Sequence, residues 1–276
     1  MVIRSWRTLR SLAHRGGWGR VMRMVTTKPN RLLQLARHDA RTFQEDQSRR
    51  FAAVGLEYGA AVAATRAALS GRRHGSEHYP LFAGWAEGRQ GLDVLEIGTD
   101  TAEFSRFLAA LPGVARVVTV DLPATDARYR AAVIRDGIEV ARGLVPSQRS
   151  TNLTESKIEF VECNSIKLTW WDRRFDAIWV DGDHTNPVVT IDAVNALRLL
   201  RPGGLLAFDD VRLDDAWESR FGGAETWRTI DALQSTGLVD VQLIYKRMTP
   251  NFLAIPEIRK YIAVVRPATP GMERGD

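Results

Sequence analysis

The chain has 276 residues, 45% of them hydrophobic, which is enough for one sizeable α/β domain with an additional segment. Its single cysteine, Cys163, excludes an internal disulfide framework and favours a reducing, cytoplasmic location. No apolar run approaches the roughly 20 residues of a membrane span, and the apolar core of a secretory signal is absent, so export is not expected.

The basic character of the chain is concentrated in its N-terminal arm, residues 1–31. The pI is about 9.6 and the net charge is +5. The arm has eight basic side chains and no acidic one, so the rest of the chain has a net charge of −3. The eight are Arg4, Arg7, Arg10, Arg15, Arg20, Arg23, Lys28 and Arg31. Because the body is mildly acidic, no nucleic-acid partner is expected.

The basic arm has two interpretations. Ile3, Trp6 and Leu9 lie near one face of a helix whose other faces are rich in arginine. Such a segment is typical of a helix that lies on a membrane surface or grips an acidic partner. It is equally typical of a poorly ordered terminus, or of one that packs within a homo-oligomer. We expect a homo-oligomer, with peripheral membrane contact as the alternative role of the arm.

Residues 32–80 form an N-terminal helical segment. Leucines at its start and an alanine-rich run over 60–69 predict a helix over 31–70, and residues 71–75 look like a linker. His74 and His78 have the spacing of two metal ligands on a helix. Gly75 lies between them, however, and favours histidines in a solvated loop.

Strands and helices alternate from about residue 90, which indicates a doubly wound α/β domain over 81–266, followed by a tail over 267–276. Strands are predicted near 92–97, 116–121, 158–162, 176–181 and 204–208. Helices are predicted near 101–111, 127–142, 187–200 and 224–235. Residues 239–245 and 261–265 are strand-like with no helix between them, which predicts an antiparallel hairpin at one sheet edge. Together these elements predict a seven-stranded, mostly parallel, Rossmann-like sheet.

A cofactor site is predicted where the first strand turns into a helix. Val94, Leu95 and Ile97 form a short buried run, Gly98 marks a tight turn, and a helix with apolar residues at helical spacing follows. Backbone N–H groups at such a turn face a ligand. The second strand ends in Asp121, where an acidic residue can hydrogen-bond a ribose diol. These features predict a nucleoside-containing cofactor.

Carboxylates also end two further strands. Asp181 ends the fourth, and Asp209 and Asp210 end the fifth. Three carboxylates close together repel one another unless a cation lies between them, and oxygen ligands suit Mg²⁺. The alternative is that Asp209 caps a loop or helix and Asp183 binds backbone in a turn.

His184 lies three residues after Asp181. A histidine that follows a carboxylate at a strand end is a candidate general base, although a lone histidine is more often structural.

Four stretches follow one another in the order of a known family. They are residues 93–104, the strand end at Asp121, the run FDAIWVDGDH over 175–184, and LRPGGLLAFDD over 200–210. This ordered set resembles class I S-adenosylmethionine-dependent methyltransferases, and the resemblance spans about residues 80–266. The VDGDH run is most similar to the metal-dependent sugar O-methyltransferases of the macrolide-glycoside type.

The resemblance implies S-adenosylmethionine and Mg²⁺ as cofactors. Glu96 and Gly98 would border the methionine portion, Asp121 would hold the ribose hydroxyls, and Asn164 would lie near the adenine. The metal, on Asp181, Asp209 and Asp210, would lower the pKa of the acceptor hydroxyl while His184 removes its proton.

The expected function is therefore O-methyl transfer to a hydroxyl of a glycoside, natural product or surface glycan. A catechol-like phenol is the alternative acceptor. A non-catalytic binding module, which keeps the fold and docks through the basic arm, is the alternative from another class. That hypothesis rests on the glycine loop, which has Gly98-Thr-Asp100-Thr-Ala102 where Gly-x-Gly-x-Gly is common.

Overall fold

The structure is a computed structural model that describes residues 29–123, 125–127, 144–213, 224–249 and 259–268. Most of the basic arm, and all but the first residue of the helix predicted over 127–142, lie outside these ranges. Within them, none of the helices combines the length and the apolarity that a membrane crossing requires.

Three helices precede the sheet: α1 (Pro29–Ala53), α2 (Tyr58–Ala68) and α3 (His78–Ala86). The single helix predicted over 31–70 is wrong, because the chain breaks between α1 and α2. Gly55 has a φ of +77°, a conformation that ends the first helix. Glu57 then caps α2, since its carboxylate accepts from the backbone N–H groups of Gly59 and Ala60.

Strands and helices alternate in the remainder of the chain. The strands are β1 (Leu92–Ile97), β2 (Val114–Asp121), β3 (Ile158–Glu162), β4 (Phe175–Val180), β5 (Leu200–Val211), β6 (Val239–Tyr245) and β7 (Tyr261–Pro267). The helices are α4 (Glu103–Ala110), α5 (Leu144–Asn152), α6 (Val188–Leu199) and α7 (Ala224–Ser235), and a 3₁₀ helix (Ser165–Trp170) follows β3.

The seven strands form one sheet in the order β3-β2-β1-β4-β5-β7-β6. The first five are parallel, and β7 runs antiparallel between β5 and β6. This confirms the predicted mostly parallel, Rossmann-like sheet with an antiparallel terminal hairpin. The strand order reverses between β1 and β4, so a crevice lies at their carboxyl ends, the usual place for a ligand in such sheets.

Helices cover both faces of the sheet, which is why its strands are almost continuously apolar. On one face, Leu95 and Ile178 pack in a core with residues of α6. On the other face, Val94 and Trp179 pack with Phe104 of α4 and with α3. The central strands are therefore packed against a hydrophobic core on each face of the sheet.

His78 packs among aromatic rings, so the prediction of a solvated histidine is wrong at this position. Its ring centroid lies 4.4 Å from that of Phe104, 4.5 Å from that of Tyr79 and 4.9 Å from that of Trp179. Burial lowers the pKa of His78, so the neutral ring behaves as one more aromatic side chain.

Candidate active site

The turn after β1 lies directly against β4. Gly98 has a φ of +99°, and its N–H donates to the carbonyl oxygen of Val120 in β2 at 2.8 Å. A Cβ at this position would lie 2.2 Å from the carbonyl oxygen of Asp181, which follows β4. Only glycine fits here, and it lets the cofactor turn and the end of β4 form one continuous edge.

The departure from the usual glycine loop does not prevent the turn. Asp100 has a φ of +43° and Ala102 a φ of +57°, both in the left-handed region. Ala102 is fully buried and adopts this conformation at the start of α4. Alanine costs about 1–2 kcal/mol more than glycine in such a conformation, so the loop is strained but formed.

Two of the predicted cofactor residues support local structure. Glu96 is 2% exposed, and its carboxylate accepts from the hydroxyls of Ser105 in α4 and of Thr119 in β2. Burial raises the pKa of Glu96 to about 8. Asn164 follows β3 as predicted, and its side-chain oxygen accepts from the N–H of Ile166 at 3.0 Å, which caps the 3₁₀ helix.

Asp121 ends β2 as predicted, and its carboxylate already has partners. Oδ1 accepts from the N–H of Leu122 at 2.7 Å. Oδ2 accepts from the N–H of Asp100 at 3.2 Å and from Nη2 of Arg149 at 2.7 Å. Nε of Arg149 also donates to the carbonyl oxygen of Asp100 at 2.5 Å, so one guanidinium joins the end of β2 to the glycine loop. Burial raises the pKa of Asp121 although Arg149 opposes it.

His184 contacts Asp181 and α7. Its Nε2 lies 3.3 Å from Oδ1 of Asp181, and its Nδ1 lies 3.4 Å from the hydroxyl of Thr226. Burial would lower the pKa of His184, but the contact with Asp181 and the charge of Asp210 raise it. Burial and the nearby Asp209 raise the pKa of Asp181 to about 7. The pKa values of both groups are therefore raised, and a raised pKa makes the imidazole of His184 a stronger base.

The neighbouring Asp183 has the structural role that the sequence left open. Its Oδ1 accepts from the N–H of Thr185 at 3.0 Å and from the hydroxyl of the same residue at 2.7 Å. This turn holds the segment between β4 and α6 and so positions His184.

Asp209 and Asp210 share one ammonium group. Neighbouring side chains of a regular strand point to opposite faces, but β5 has a shift of register between Phe208 and Val211, and Asp210 has a φ of +54°. This bulge lets both carboxylates reach Nζ of Lys246, which donates to each of them.

A second lysine completes the cluster. Nζ of Lys260 donates to the other carboxylate oxygen of Asp210. Burial would raise the pKa values of Asp209 and Asp210, but the charge of Lys246 holds both below their usual value, with Lys260 contributing at Asp210. Burial would lower the pKa of Lys246, but the two carboxylates raise it. All three groups are therefore charged at neutral pH.

The structure does not support the predicted Mg²⁺ site. Asp181, Asp209 and Asp210 do lie at one edge of the sheet, as expected from their strands. Over the described part of the chain, however, no group of three or more histidine, cysteine or acidic side chains is placed to hold a metal. The physical reason is Lys246, whose ammonium is bonded to two of the carboxylates that the ion would need. The residues therefore do not fit Mg²⁺ in this arrangement.

Sequence analysis missed four residues of this site: Arg149, Thr226, Lys246 and Lys260. None of them belongs to a motif, and each lies far along the chain from its partner. One signal was present for the lysines, because Lys246 directly follows the first strand of the predicted terminal hairpin and Lys260 directly precedes the second. The two residues pair there, with the N–H of Lys246 donating to the carbonyl oxygen of Lys260 at 3.0 Å.

Residues 95–211 match a family model described as a methyltransferase domain. This stretch runs from β1 to the end of β5, so it contains both the glycine turn and the carboxylates at the edge of the sheet. The match supports a class I S-adenosylmethionine-dependent methyltransferase.

Two solved structures share the methyltransferase fold. One is the O-methyltransferase TomG from Streptomyces achromogenes, involved in tomaymycin synthesis and solved in complex with SAM. It is 20% identical, with a TM-score of 0.50, over 80% of this chain and 96% of that one. The other is cofactor-bound Rv0187 from MTB, which is 21% identical, with a TM-score of 0.50, over 75% of this chain and 87% of that one. At these identities the likeness shows the fold alone. No curated protein matches the chain.

Proposed function

We propose that the protein transfers the methyl group of S-adenosylmethionine to a hydroxyl oxygen of an acceptor. The observation behind the proposal is the position of the Asp181–His184 pair beside the glycine turn. The backbone of Asp181 touches Gly98 so closely that no side chain fits between them. A cofactor bound at the turn and an acceptor bound at His184 would therefore be neighbours, as a direct displacement requires.

The cofactor side of the site fits this role. S-adenosylmethionine, when bound, supplies an electrophilic methyl group. The turn at Gly98 lies at the carboxyl end of β1, and Asp121 ends the adjacent strand with the carboxylate that would accept from the ribose hydroxyls. Arg149 now bonds that carboxylate, so a ribose would have to share or displace it.

Asp121→Ala should weaken S-adenosylmethionine binding by about 1–3 kcal/mol, the usual cost of losing a charged hydrogen-bond partner. Calorimetry with the purified protein measures the change, and circular dichroism confirms that the variant is folded. Asp93→Ala serves as the control, since this acid lies at the opposite end of β1 and bonds Arg116 and Arg201. An unchanged affinity in a folded Asp121→Ala variant would remove Asp121 from the site.

Arg149→Met should have the opposite effect on the cofactor. Methionine replaces the unbranched stem of the side chain without its charge and leaves Asp121 free to accept from the ribose, so S-adenosylmethionine should bind about tenfold more tightly, equivalent to roughly 1.4 kcal/mol. Without cofactor the variant should unfold more easily, because a buried carboxylate loses its cation. Arg106→Met is the matched control, since Arg106 bonds Asn152 and lies near Glu155 in an exposed position. Weaker cofactor binding in Arg149→Met would show that the arginine helps to hold the cofactor.

On the acceptor side, His184 is the group that would remove the hydroxyl proton. Its contacts with Asp181 and Thr226, at 3.3 and 3.4 Å, are longer than ordinary hydrogen bonds, and the side chain is 15% exposed. An acceptor hydroxyl would replace one of these contacts to reach a ring nitrogen. Asp181 would orient the imidazole and stabilise the imidazolium that forms. Proton removal in step with methyl transfer requires no ionised acceptor beforehand.

The acceptor that the resemblance implies is a hydroxyl of a glycoside, natural product or surface glycan. A catechol-like phenol is the second candidate, and one observation favours it. Lys246 lies where a metal would have lowered the pKa of a sugar hydroxyl, whereas a phenol, with a pKa of about 10, is acidic enough for an imidazole to deprotonate.

The purified protein with S-adenosylmethionine should be tested against glycosides and catechol-like phenols, with S-adenosylhomocysteine formation as the readout. Methylation of a compound from either class would support the proposed methyltransferase activity and identify the class of acceptor. A protein that binds no S-adenosylmethionine in calorimetry would instead favour the binding module. The basic arm lies almost wholly outside the described residues, and its role in membrane contact or in a homo-oligomer remains a proposal.

A further inference from the structure

We propose that Lys246 is the built-in cation of the acceptor site and takes the place of the divalent metal ion that the sequence predicts. Its ammonium is bonded to both Asp209 and Asp210, and its side chain is 9% exposed. The proposal concerns the same site as the proposed function, but its binding test does not depend on methyl transfer.

The backbone holds Lys246 in place. Its carbonyl oxygen accepts from the N–H of Glu77 at 2.9 Å and from the hydroxyl of Ser76 at 3.1 Å, both just before α3. Its N–H donates to the carbonyl oxygen of Lys260, the residue that precedes β7, at 3.0 Å. These three hydrogen bonds fix the backbone of Lys246, and its nearly buried side chain keeps the ammonium beside the two carboxylates.

The carboxylate oxygens of the cluster are already engaged by cations of the chain. Lys246 bonds one oxygen each of Asp209 and Asp210, and Lys260 bonds the second oxygen of Asp210. Asp181 has His184 as its partner. Of the four carboxylate oxygens of Asp209 and Asp210, Oδ1 of Asp209 has no hydrogen bond to any of the described residues. A divalent cation at this point would be repelled by the ammonium, and the pair offers it one carboxylate oxygen without a hydrogen bond, so a metal site here is unfavourable.

The bulge in β5 suits an ammonium as the shared ligand. It turns two consecutive carboxylates toward one point, which would be unfavourable in the absence of a positive charge there. An ammonium has three N–H donors, and Lys246 uses two of them on these oxygens.

Titration of the full-length protein with Mn²⁺, followed by electron paramagnetic resonance, tests the proposal directly. The wild-type protein should have no stoichiometric Mn²⁺ site. Lys246→Ala removes the charge and opens space, so it should gain one site that binds Mn²⁺ at least about tenfold more tightly than wild type. Lys246→Arg, which keeps the charge, should gain none. The double variant Lys246→Ala/Asp209→Asn should lose the new site, because an amide lacks the charge that holds a hard cation.

A stoichiometric Mn²⁺ site in the wild-type protein that Asp209→Asn abolishes would overturn the proposal, and this measurement decides the matter even if Lys246→Ala does not fold. A folded Lys246→Ala variant with no gain in Mn²⁺ affinity would also overturn it, since the lysine would then not be what excludes the ion.

Turnover in EDTA provides a separate measurement. If the wild-type protein methylates an acceptor, its turnover should be unchanged after EDTA treatment, and loss of turnover restored by Mg²⁺ would contradict the role of Lys246. If no acceptor is methylated, the proposed function fails while the Mn²⁺ titrations still decide the role of the lysine.

Discussion

His184→Ala should lower turnover by about 10²–10⁴-fold, the usual range for loss of a general base, and leave S-adenosylmethionine binding unchanged. The cofactor contacts proposed above lie on β1 and β2, whereas His184 follows β4 and touches Asp181 and Thr226. The imidazole therefore contributes to proton removal and not to cofactor affinity. Single-turnover kinetics with saturating cofactor would measure the loss.

The pH profile separates a base from a structural histidine. A general base acts in its neutral form, so wild-type turnover should fall as the pH drops through the raised pKa of His184. Asp181, whose pKa is raised to about 7, contacts His184, so the two groups titrate as a pair. His184→Ala should lose this acid limb and recover part of its rate at high pH, where the acceptor ionises by itself. His184→Asn is the matched control, since an amide keeps hydrogen bonding without basicity, and it should behave like the alanine variant. Normal turnover in either variant at neutral pH would exclude His184 as the base.

Gly98→Ala should lower the free energy of unfolding by about 2–4 kcal/mol and abolish cofactor binding. The φ of +99° is unfavourable for alanine, and the new Cβ would lie 2.2 Å from the carbonyl oxygen of Asp181. That atom belongs to the backbone at the end of β4, so the contact is relieved only if the turn and the strand separate. Urea denaturation would measure the stability, and calorimetry the cofactor.

Gly203→Ala is the matched control for this effect. Gly203 also has a positive φ, +74°, but a Cβ there would meet nothing within 4 Å. Gly203→Ala should therefore lower the free energy of unfolding only by the cost of a left-handed backbone at alanine, about 1–2 kcal/mol, and leave cofactor binding intact. Equal losses of stability in the two variants would show that the contact between Gly98 and Asp181 contributes nothing beyond backbone strain.

The secondary structure of the domain was predictable because its signals are local. The apolar run of Val94, Leu95 and Ile97 predicted β1, and the helix over 224–235 and the strand over 239–245 have the bounds that the sequence indicated. The helix predicted over 31–70 was wrong where one glycine conformation and one acidic cap outweighed the alanine-rich pattern. A break of this kind depends on φ values that composition does not reveal.

The edge of the sheet at which the site lies was also predictable. Parallel strands bring their carboxyl ends to one edge, so Asp121, Asp181 and Asp209 had to lie near the crevice once the strands were recognised. The sequence by itself therefore determined the fold, the position of the crevice and the acidic residues around it.

Only the tertiary structure decided what those acidic residues contact. Lys246 is 37 residues from Asp209, and Arg149 is 28 residues from Asp121, yet each supplies the cation that its partner bonds. Three carboxylates at neighbouring strand ends require a positive charge nearby. The sequence does not indicate whether a metal ion or a lysine supplies that charge, because the lysine is distant along the chain. The bulge at Asp210 and the backbone contacts of Lys246 place the ammonium between the carboxylates, and both depend on packing between distant strands.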